Sequence, residues 1–292
     1  MTVIPSPISV VVSIYNEPIE WLAESVNSIL AQTFTDFEFV IINDNPNREE
    51  NKLFLSELQK ADQRVVVIEN ETNIGLTKSL NKGLRAAKGK YIARMDADDI
   101  ADPERFSKQY QFMEENPDYI VVGSNMYTYS DGQIIKEIIY PADDAHIKIG
   151  FLLKDPVAHP ASFIRAKALK ENNVWYNENM RYAQDLALWC DLTPYGKFHN
   201  VQEFLLKYRV SSSQISTSKF GEQAHLKYGI RRKYYDEVFP KLSINGSSTS
   251  KFSKFVKVLF GKKISVMPAI KLLIPLPPYK VFHFYYKLTK KL

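Results

Sequence analysis

Between residues 8 and 95 the chain sets down four short apolar runs separated by three segments of helical period, and this rhythm restricts the fold more than any other feature. The runs are Ser9–Ser13 (SVVVS), Phe37–Asn43 (FEFVIIN), Val65–Ile68 and Tyr91–Met95. They are rich in β-branched residues and apolar throughout, as strands buried on both faces must be. Between them, Leu22, Val26, Ile29 and Leu30 recur at helical spacing, Leu53, Leu55 and Leu58 fall in a second helix, and Leu76–Lys88 forms a third. Gly89 follows the third helix and is expected to end it in a left-handed conformation. Strand–helix alternation of this kind predicts an α/β fold, a mostly parallel sheet flanked by helices. Ligands of such sheets bind beyond the carboxyl ends of the strands. The loops that matter are therefore Ile14–Glu17, Asp44–Asn47, Asn70–Gly75 and Asp96–Asp102, and polar residues gather in all four.

After Asn116-Pro117 the pattern changes. Tyr119–Tyr129 and Gln133–Tyr140 read as two strands joined by Ser130-Asp131-Gly132, a hairpin signal. A helix is expected over 143–153, an irregular loop over Pro156–Pro160, a short helix over Asp185–Leu192 and a strand near Phe198–Val201. Apolar residues make up 45% of the chain, enough for a sizeable core, so global disorder is excluded. Cys190 stands alone, which rules out an intrachain disulfide and fits a cytoplasmic protein. The first residues lack the basic region and cleavage site of a leader, and no uncharged apolar run reaches the roughly 18 residues of a membrane span.

The net charge of +5 conceals a split. Residues 1–218 carry 22 Lys and Arg against 30 Asp and Glu, whereas residues 219–292 carry 16 against 3. The second part is thus a basic, aromatic-rich extension that invites an anionic partner.

The densest polar feature is Asp96-Ala97-Asp98-Asp99, followed by Asp102-Pro103-Glu104. Asp102 suits a helix cap, with proline in the first helical position and a carboxylate at the positive end of the dipole. Capping does not account for the other three. Two carboxylates about 4 Å apart repel by roughly 4 kcal/mol at an effective dielectric near 20. A divalent cation reverses that sign, and oxygen-only ligands select Mg²⁺ or Mn²⁺. Asp99 is open between supporting that shell and shaping the turn.

Joined in order, SVVVSIYNE, ESVNSILAQTFTDFEFVIIND, NIGLTKSLNKGLRAAKGKYIARMDADD, the His-Pro of VAHPASFIR, QDLALW and YRVSSSQIS resemble glycosyltransferase family 2, the inverting nucleotide-sugar transferases of the GT-A fold. The resemblance covers about residues 8–216 and implies a domain over 1–218, with a nucleotide-binding half (about 1–110) and an acceptor half (111–218). Residues 219–292 then form a mostly helical extension. By resemblance, Tyr15 and Asp44 hold the nucleotide base, although Asn43-Asp44-Asn45-Pro46 departs from the family's usual turn. Asp98 is the metal ligand, with Asp96 on the ribose or the ion. Arg94 and Lys78 either add positive charge near the phosphates or serve otherwise, Arg94 as an aspartate's partner and Lys78 as a solvated helix residue. Asp185 matches the catalytic base, and Gln184 replaces the commoner glutamate before it. His159 falls on the acceptor or sugar side. Ser211 stands where many members carry histidine, so no role of that histidine carries over.

The implied activity is transfer of a sugar, from a UDP-sugar with Mn²⁺ or Mg²⁺, to a glycan or lipid-linked acceptor in cell-surface polysaccharide assembly. A sugar nucleotidyltransferase would want a glycine-rich basic loop where SIYNEP stands, and a non-catalytic glycan- or membrane-binding scaffold would be indifferent to Asp98 and Asp185. The absence of G-x-G-x-x-G after the first run disfavours a dinucleotide-binding dehydrogenase. In 251–292, Phe252, Phe255, Val256 and Phe260 share one helical face bordered by Lys251, Lys254 and Lys257. Such a segment suits the anionic inner face of a membrane, or else packs on the core with its lysines in water. No nucleic-acid-binding module is visible, and no nucleic-acid partner is expected.

Overall fold

A computed structural model describes residues 6–210 and 220–238. Ser211 and the basic segment 251–292 lie outside the described residues. Nine strands form one sheet: β1 (Ile8–Ile14), β2 (Phe37–Asn43), β3 (Val65–Glu69), β4 (Tyr91–Arg94), β5 (Ile100–Ala101), β6 (Tyr119–Ser130), β7 (Gln133–Ile138), β8 (Phe163–Arg165) and β9 (Lys197–Arg209). Their order is β3-β2-β1-β4-β8-β6-β9-β5, with β7 beside β6. β3, β2, β1 and β4 are mutually parallel, as the first hundred residues predict. β8 enters antiparallel to both β4 and β6, and β9 runs parallel to β6.

The helices are α1 (Ile19–Leu30), α2 (Glu49–Ala61), α3 (Leu76–Ala86), α4 (Arg105–Glu115), α5 (Asp144–Gly150), α6 (Ala166–Asn172), α7 (Gln184–Leu192) and α8 (Phe220–Lys233). Side chains alternate along the strands and feed two cores. Val10, Val12, Phe39 and Ile41 pack with Leu22, Val26 and Ile29 of α1 and Phe106 of α4. Val11, Val40 and Ile42 face the other way, onto Leu80 and Leu84 of α3, in a core shared with Leu186, Trp189 and Ile230. Removing a methylene from either core costs about 0.8 kcal/mol in burial alone.

Close approach explains two glycines. A Cβ on Gly83 would sit 2.6 Å from Ile42 Cδ1 and Val11 Cγ1, so α3 can press onto the sheet only without one. Gly89 does not take the left-handed conformation expected of it; among the described glycines only Gly75 and Gly132 have φ between +20° and +160°. α3 already ends at Ala86, and Gly89 is needed because a Cβ there would lie 2.6 Å from the Ser9 nitrogen.

The hairpin is as read, with Asp131 (φ 49°) and Gly132 (φ 82°) turning β6 into β7. Asp102 does not take the cap position expected of it: α4 starts at Arg105 with Glu104 as its cap, and Asp102 and Pro103 form the turn before the helix. Asp102 Oδ1 accepts from the Glu104 N–H at 3.0 Å and the Asp102 carbonyl from the Arg105 N–H at 3.0 Å, a turn that leads into α4. The strand expected near Phe198–Val201 is far longer, running to Arg209. That length carries one arginine to the functional edge of the sheet.

Candidate active site

β1 has β2 on one side and β4 on the other, so the chain reverses its order of strand addition there. The loops that leave β1 and β4 lie side by side at the carboxyl edge of the sheet, the usual ligand position in such sheets, and the helices α1 and α4 that follow them pack on the same face. Tyr15 and Glu17 come from the loop after β1 and Asp96 and Asp98 from the turn after β4, near enough for Glu17 to feel Asp96 and for Asp98 to feel Glu17, with Asp99 buried behind them. Tyr15 is 42% exposed, leaving its ring open to a ligand. Glu17 turns back to accept the Tyr15 N–H at 2.7 Å. Burial, with Asp96 adding to it, raises the Glu17 carboxyl above its ordinary range.

Asp98 is pushed up to about 7, first by burial and then by the neighbouring charges of Asp96 and Glu17. Three carboxylates therefore share a small volume in which they repel. Asp96 is held by the Arg94 guanidinium, and Arg94 is buried. Arg94 Nε and Nη1 have no hydrogen-bond partner among the described residues, so two donors stay uncommitted beside the acidic turn.

Arg209 ties that turn to the far side of the sheet. Its backbone N–H donates to Asp99 Oδ1 at 2.9 Å, and its Nε donates to the Asp98 carbonyl at 2.7 Å. Its Nη2 pairs with Glu24, and its guanidinium lies 4.9 Å from the Trp21 ring centre and 5.1 Å from that of Tyr129. Asp99 is fully buried, and through its Oδ1 it anchors the turn to Arg209.

A second group of residues reaches the same edge from the other half. Because β8 runs antiparallel to β4, its leading turn, His159–Ala161, arrives where β4 ends, and the Arg94 N–H donates to the Ser162 carbonyl at 2.9 Å. His159 Nε2 lies 2.6 Å from Tyr176 Oη, and its ring meets Trp189 edge-on at 6.1 Å. Burial, aided by the Arg94 charge, holds His159 well below the usual imidazole range, so it is neutral. Gln184 is buried, and Asp185 follows it in the first turn of α7. The cap position belongs to Ala183, whose φ of 55° is left-handed, so capping does not explain Asp185. That conformation costs about 1–2 kcal/mol in an alanine. Burial and then the charge of Asp155 raise Asp185, while Lys227 and Arg94 pull it back.

The structure thus gathers Tyr15, Arg94, Asp96 and Asp98 at one edge of the sheet, and the Arg94 charge also reaches His159 and Asp185, with Gln184 beside the latter. Asp44 lies nearby, its N–H donating to the Ile14 carbonyl at 2.9 Å, but its carboxylate is largely engaged. Oδ1 accepts from Asn70 Nδ2 and the Ile74 N–H, both at 2.8 Å, and Oδ2 from the Gly75 N–H at 2.9 Å. One lone pair of Oδ2 remains for a ligand. Lys78 points to solvent from the first turn of α3, and its charge acts on Glu178. Sequence reading missed Glu17, Arg209 and Asp155. For Glu17 a signal existed, a carboxylate in the loop after the strand at the switch point; for the other two there was none.

The donor set fits a hard divalent cation. Asp96 and Asp98 offer oxygens only, and the site carries more negative charge than Arg94 offsets. Among the described residues no three carboxylate, imidazole or thiol groups converge tightly enough to cage an ion. Protein would therefore supply one or two ligands, leaving the other positions to phosphate and water, as is usual for Mg²⁺.

Comparison with known proteins agrees with this geometry. Residues 9–171 match the family described as Glycosyl transferase family 2. The chain is 39% identical over 227 residues to an uncharacterized glycosyltransferase of Methanocaldococcus jannaschii, covering 76% of this chain and 77% of that one. It is 32% identical over 232 residues to the O-antigen biosynthesis glycosyltransferase WbnJ of Escherichia coli, covering 77% and 87%. Among solved structures, S. aureus TarS 1–349 in complex with UDP-GlcNAc superposes with a TM-score of 0.65 over 86% of this chain and 71% of that chain, at 20% identity. That last likeness is one of fold.

Proposed function

The chain is a member of glycosyltransferase family 2 with the GT-A fold, and from that premise we propose that it is an inverting, metal-dependent transferase that moves a sugar from a UDP-sugar to a glycan or lipid-linked acceptor. The observation that carries this reading is that buried Arg94 is common to two groups: it pairs with Asp96 of the acidic cluster, which includes Asp98 and Glu17, and its charge also acts on Asp185 and on neutral His159.

On the donor side, Tyr15 offers an exposed ring on which a nucleobase stacks, and Asp44 keeps one acceptor for it. Asp98, with Asp96, would hold Mn²⁺ or Mg²⁺, which when bound supplies the positive charge that offsets the leaving diphosphate. Arg94 orients Asp96 and presents two further donors toward the same phosphates. On the acceptor side, Asp185 takes the proton of the attacking hydroxyl. The bond from that oxygen to the anomeric carbon forms as the bond from the carbon to the diphosphate oxygen breaks, so configuration inverts. A carboxylate raised toward neutral pH is a stronger base than an exposed one and suits the task.

The complex of TarS with UDP-GlcNAc supports a UDP-linked hexose or N-acetylhexosamine as donor. The O-antigen role of WbnJ supports a place in cell-surface polysaccharide assembly, as in lipopolysaccharide or capsule. The basic segment 251–292 would keep the enzyme at the membrane face where such acceptors lie. A thermal-shift screen of UDP-GlcNAc, UDP-glucose, UDP-galactose, GDP-mannose and dTDP-glucose tests this function. UDP-sugars should raise the melting midpoint with Mn²⁺, with stabilisation near 2.7 kcal/mol at 100 times Kd, and EDTA should abolish the shift. A shift untouched by EDTA would contradict the metal assignment, and no shift from any nucleotide sugar would contradict the function.

A further inference from the structure

α8 belongs to the site as well as to the core. Ile230 and Tyr234, the latter in the π-helical turn that follows α8, are buried, and Tyr234 Oη donates to the Lys148 carbonyl at 3.2 Å. The Tyr234 ring also meets Phe151 edge-on at 6.1 Å. One face of α8 is thereby fixed against α5 and the turn after it. Two cations one helical turn apart on α8 then close on a single carboxylate. Lys227 Nζ lies 2.5 Å from Asp155 Oδ2, and Arg231 Nη2 lies 2.8 Å from Asp155 Oδ1. Arg231 Nε also donates to the Phe151 carbonyl at 3.3 Å, so the guanidinium is oriented by two acceptors.

Asp155 sits four residues before His159, in the loop that carries the acceptor side of the site, and its charge is the largest one acting on Asp185. A carboxylate beside another charged carboxylate ionises less readily unless cations compensate the pair. We propose that Lys227 and Arg231 are positioning residues for the transfer reaction: by clamping and neutralising Asp155 they let Asp185 carry its negative charge beside a second carboxylate, so the base is competent only while α8 is docked. The proposal rests on Asp185 being the base. The groups that face Asp185 are Asp155 from the loop, Lys227 from α8, Arg94 from β4 and the Leu186 N–H of its own helix, with the Tyr140, Tyr176 and Cys190 side chains neutral around them. Those that face Asp155 are Lys227, Arg231, Asp185, Tyr140 and Cys190. Lys227 alone is cationic toward both carboxylates from α8, which makes it the informative position.

The test combines a direct titration with turnover. Protein labelled with ¹³C in its aspartate carboxyl groups is titrated by NMR, with the Asp185 signal assigned through Asp185→Asn. Lys227→Met should move the Asp185 midpoint up by about half a pH unit or more. Lys227→Arg should leave it in place, and Lys227→Met with Asp155→Asn should bring it back. UDP release from the UDP-sugar that turns over fastest should fall more at pH 6 than at pH 8 in Lys227→Met, by up to about threefold for a half-unit rise, while the Kd of UDP with Mn²⁺ stays within twofold. An Asp185 midpoint unchanged in Lys227→Met, or a loss of UDP affinity equal to the loss of turnover, would overturn the proposal. Full turnover by Asp185→Asn would instead sink the base assignment beneath it, and the two failures are told apart by that variant alone.

Discussion

Arg209→Met should damage both stability and nucleotide binding, because a single buried guanidinium organises the acidic turn. Arg209 is 5% exposed, donates to the Asp98 carbonyl at 2.7 Å, pairs with Glu24 and lies between Trp21 and Tyr129. Hydrogen bonds involving a charged group contribute about 1.5–3 kcal/mol, and each desolvated cation–π contact about 1. Glu24 is half exposed and recovers water when its partner goes, which trims the loss. The net cost is therefore about 3 kcal/mol, within the range for breaking a buried pair. At about 2–4 °C per kcal/mol for a domain of this size, the melting midpoint should drop by about 6–12 °C. Arg209→Lys keeps the charge but not the fork, so it cannot serve the Asp98 carbonyl and Glu24 together and should recover at most half of the loss. Thermal and urea unfolding measure the first effect. Titration with UDP and Mn²⁺ measures the second, where about a tenfold loss of affinity is expected from a loosened turn. A midpoint within 1 °C of wild type, with UDP affinity intact, would refute the claim that β9 holds the acidic loop.

Gly75 has φ 85° and ψ 157°, a region open essentially only to glycine, and its N–H anchors Asp44. Gly75→Ala should cost about 1–3 kcal/mol by urea unfolding and weaken UDP binding. His159 is neutral in the fold, so below pH 6.5 the unfolded chain binds the extra proton and stability falls as pH drops, by about 1.4 kcal/mol per unit. Asp98, Asp99 and Asp185 are raised and act in the opposite sense, so the test is a difference: the stability of His159→Gln minus that of wild type should rise by up to about 1.4 kcal/mol per unit as pH falls from 6.5 to 5. The basic segment predicts co-sedimentation of the full chain with phosphatidylglycerol vesicles but not with phosphatidylcholine vesicles, and release by about 0.5 M salt as screening shortens its reach.

The sequence made β1, β2, β4 and the hairpin legible because each is a run of apolar residues whose period survives without knowledge of neighbours. β8 was not legible, since Phe163–Arg165 is too short to show any period and is a strand only because β4 and β6 flank it. β9 was read short because Gln202 and Glu203 interrupt the apolar pattern, where the register against β6 slips between Ser124 and Met126. The acidic turn announced itself through charge crowding alone. Arg209 did not, because its meaning depends on partners about 110 residues earlier in the chain. Asp155 stayed hidden for the same reason: its importance comes from two cations on a helix more than 70 residues away. Lys78 was readable two ways, as a charge near the phosphates or as a solvated helix residue, and it is exposed on α3.

The most direct measurement is Asp185→Asn compared with wild type for UDP release and for UDP affinity in Mn²⁺. The substitution keeps size and removes the charge that accepts the proton. Turnover should fall by about 10²–10⁴-fold, the usual contribution of a general base, with UDP affinity within about threefold of wild type. Turnover within tenfold of wild type, or UDP binding lost in step with it, would contradict the assignment of donor and acceptor chemistry to the two groups that share Arg94.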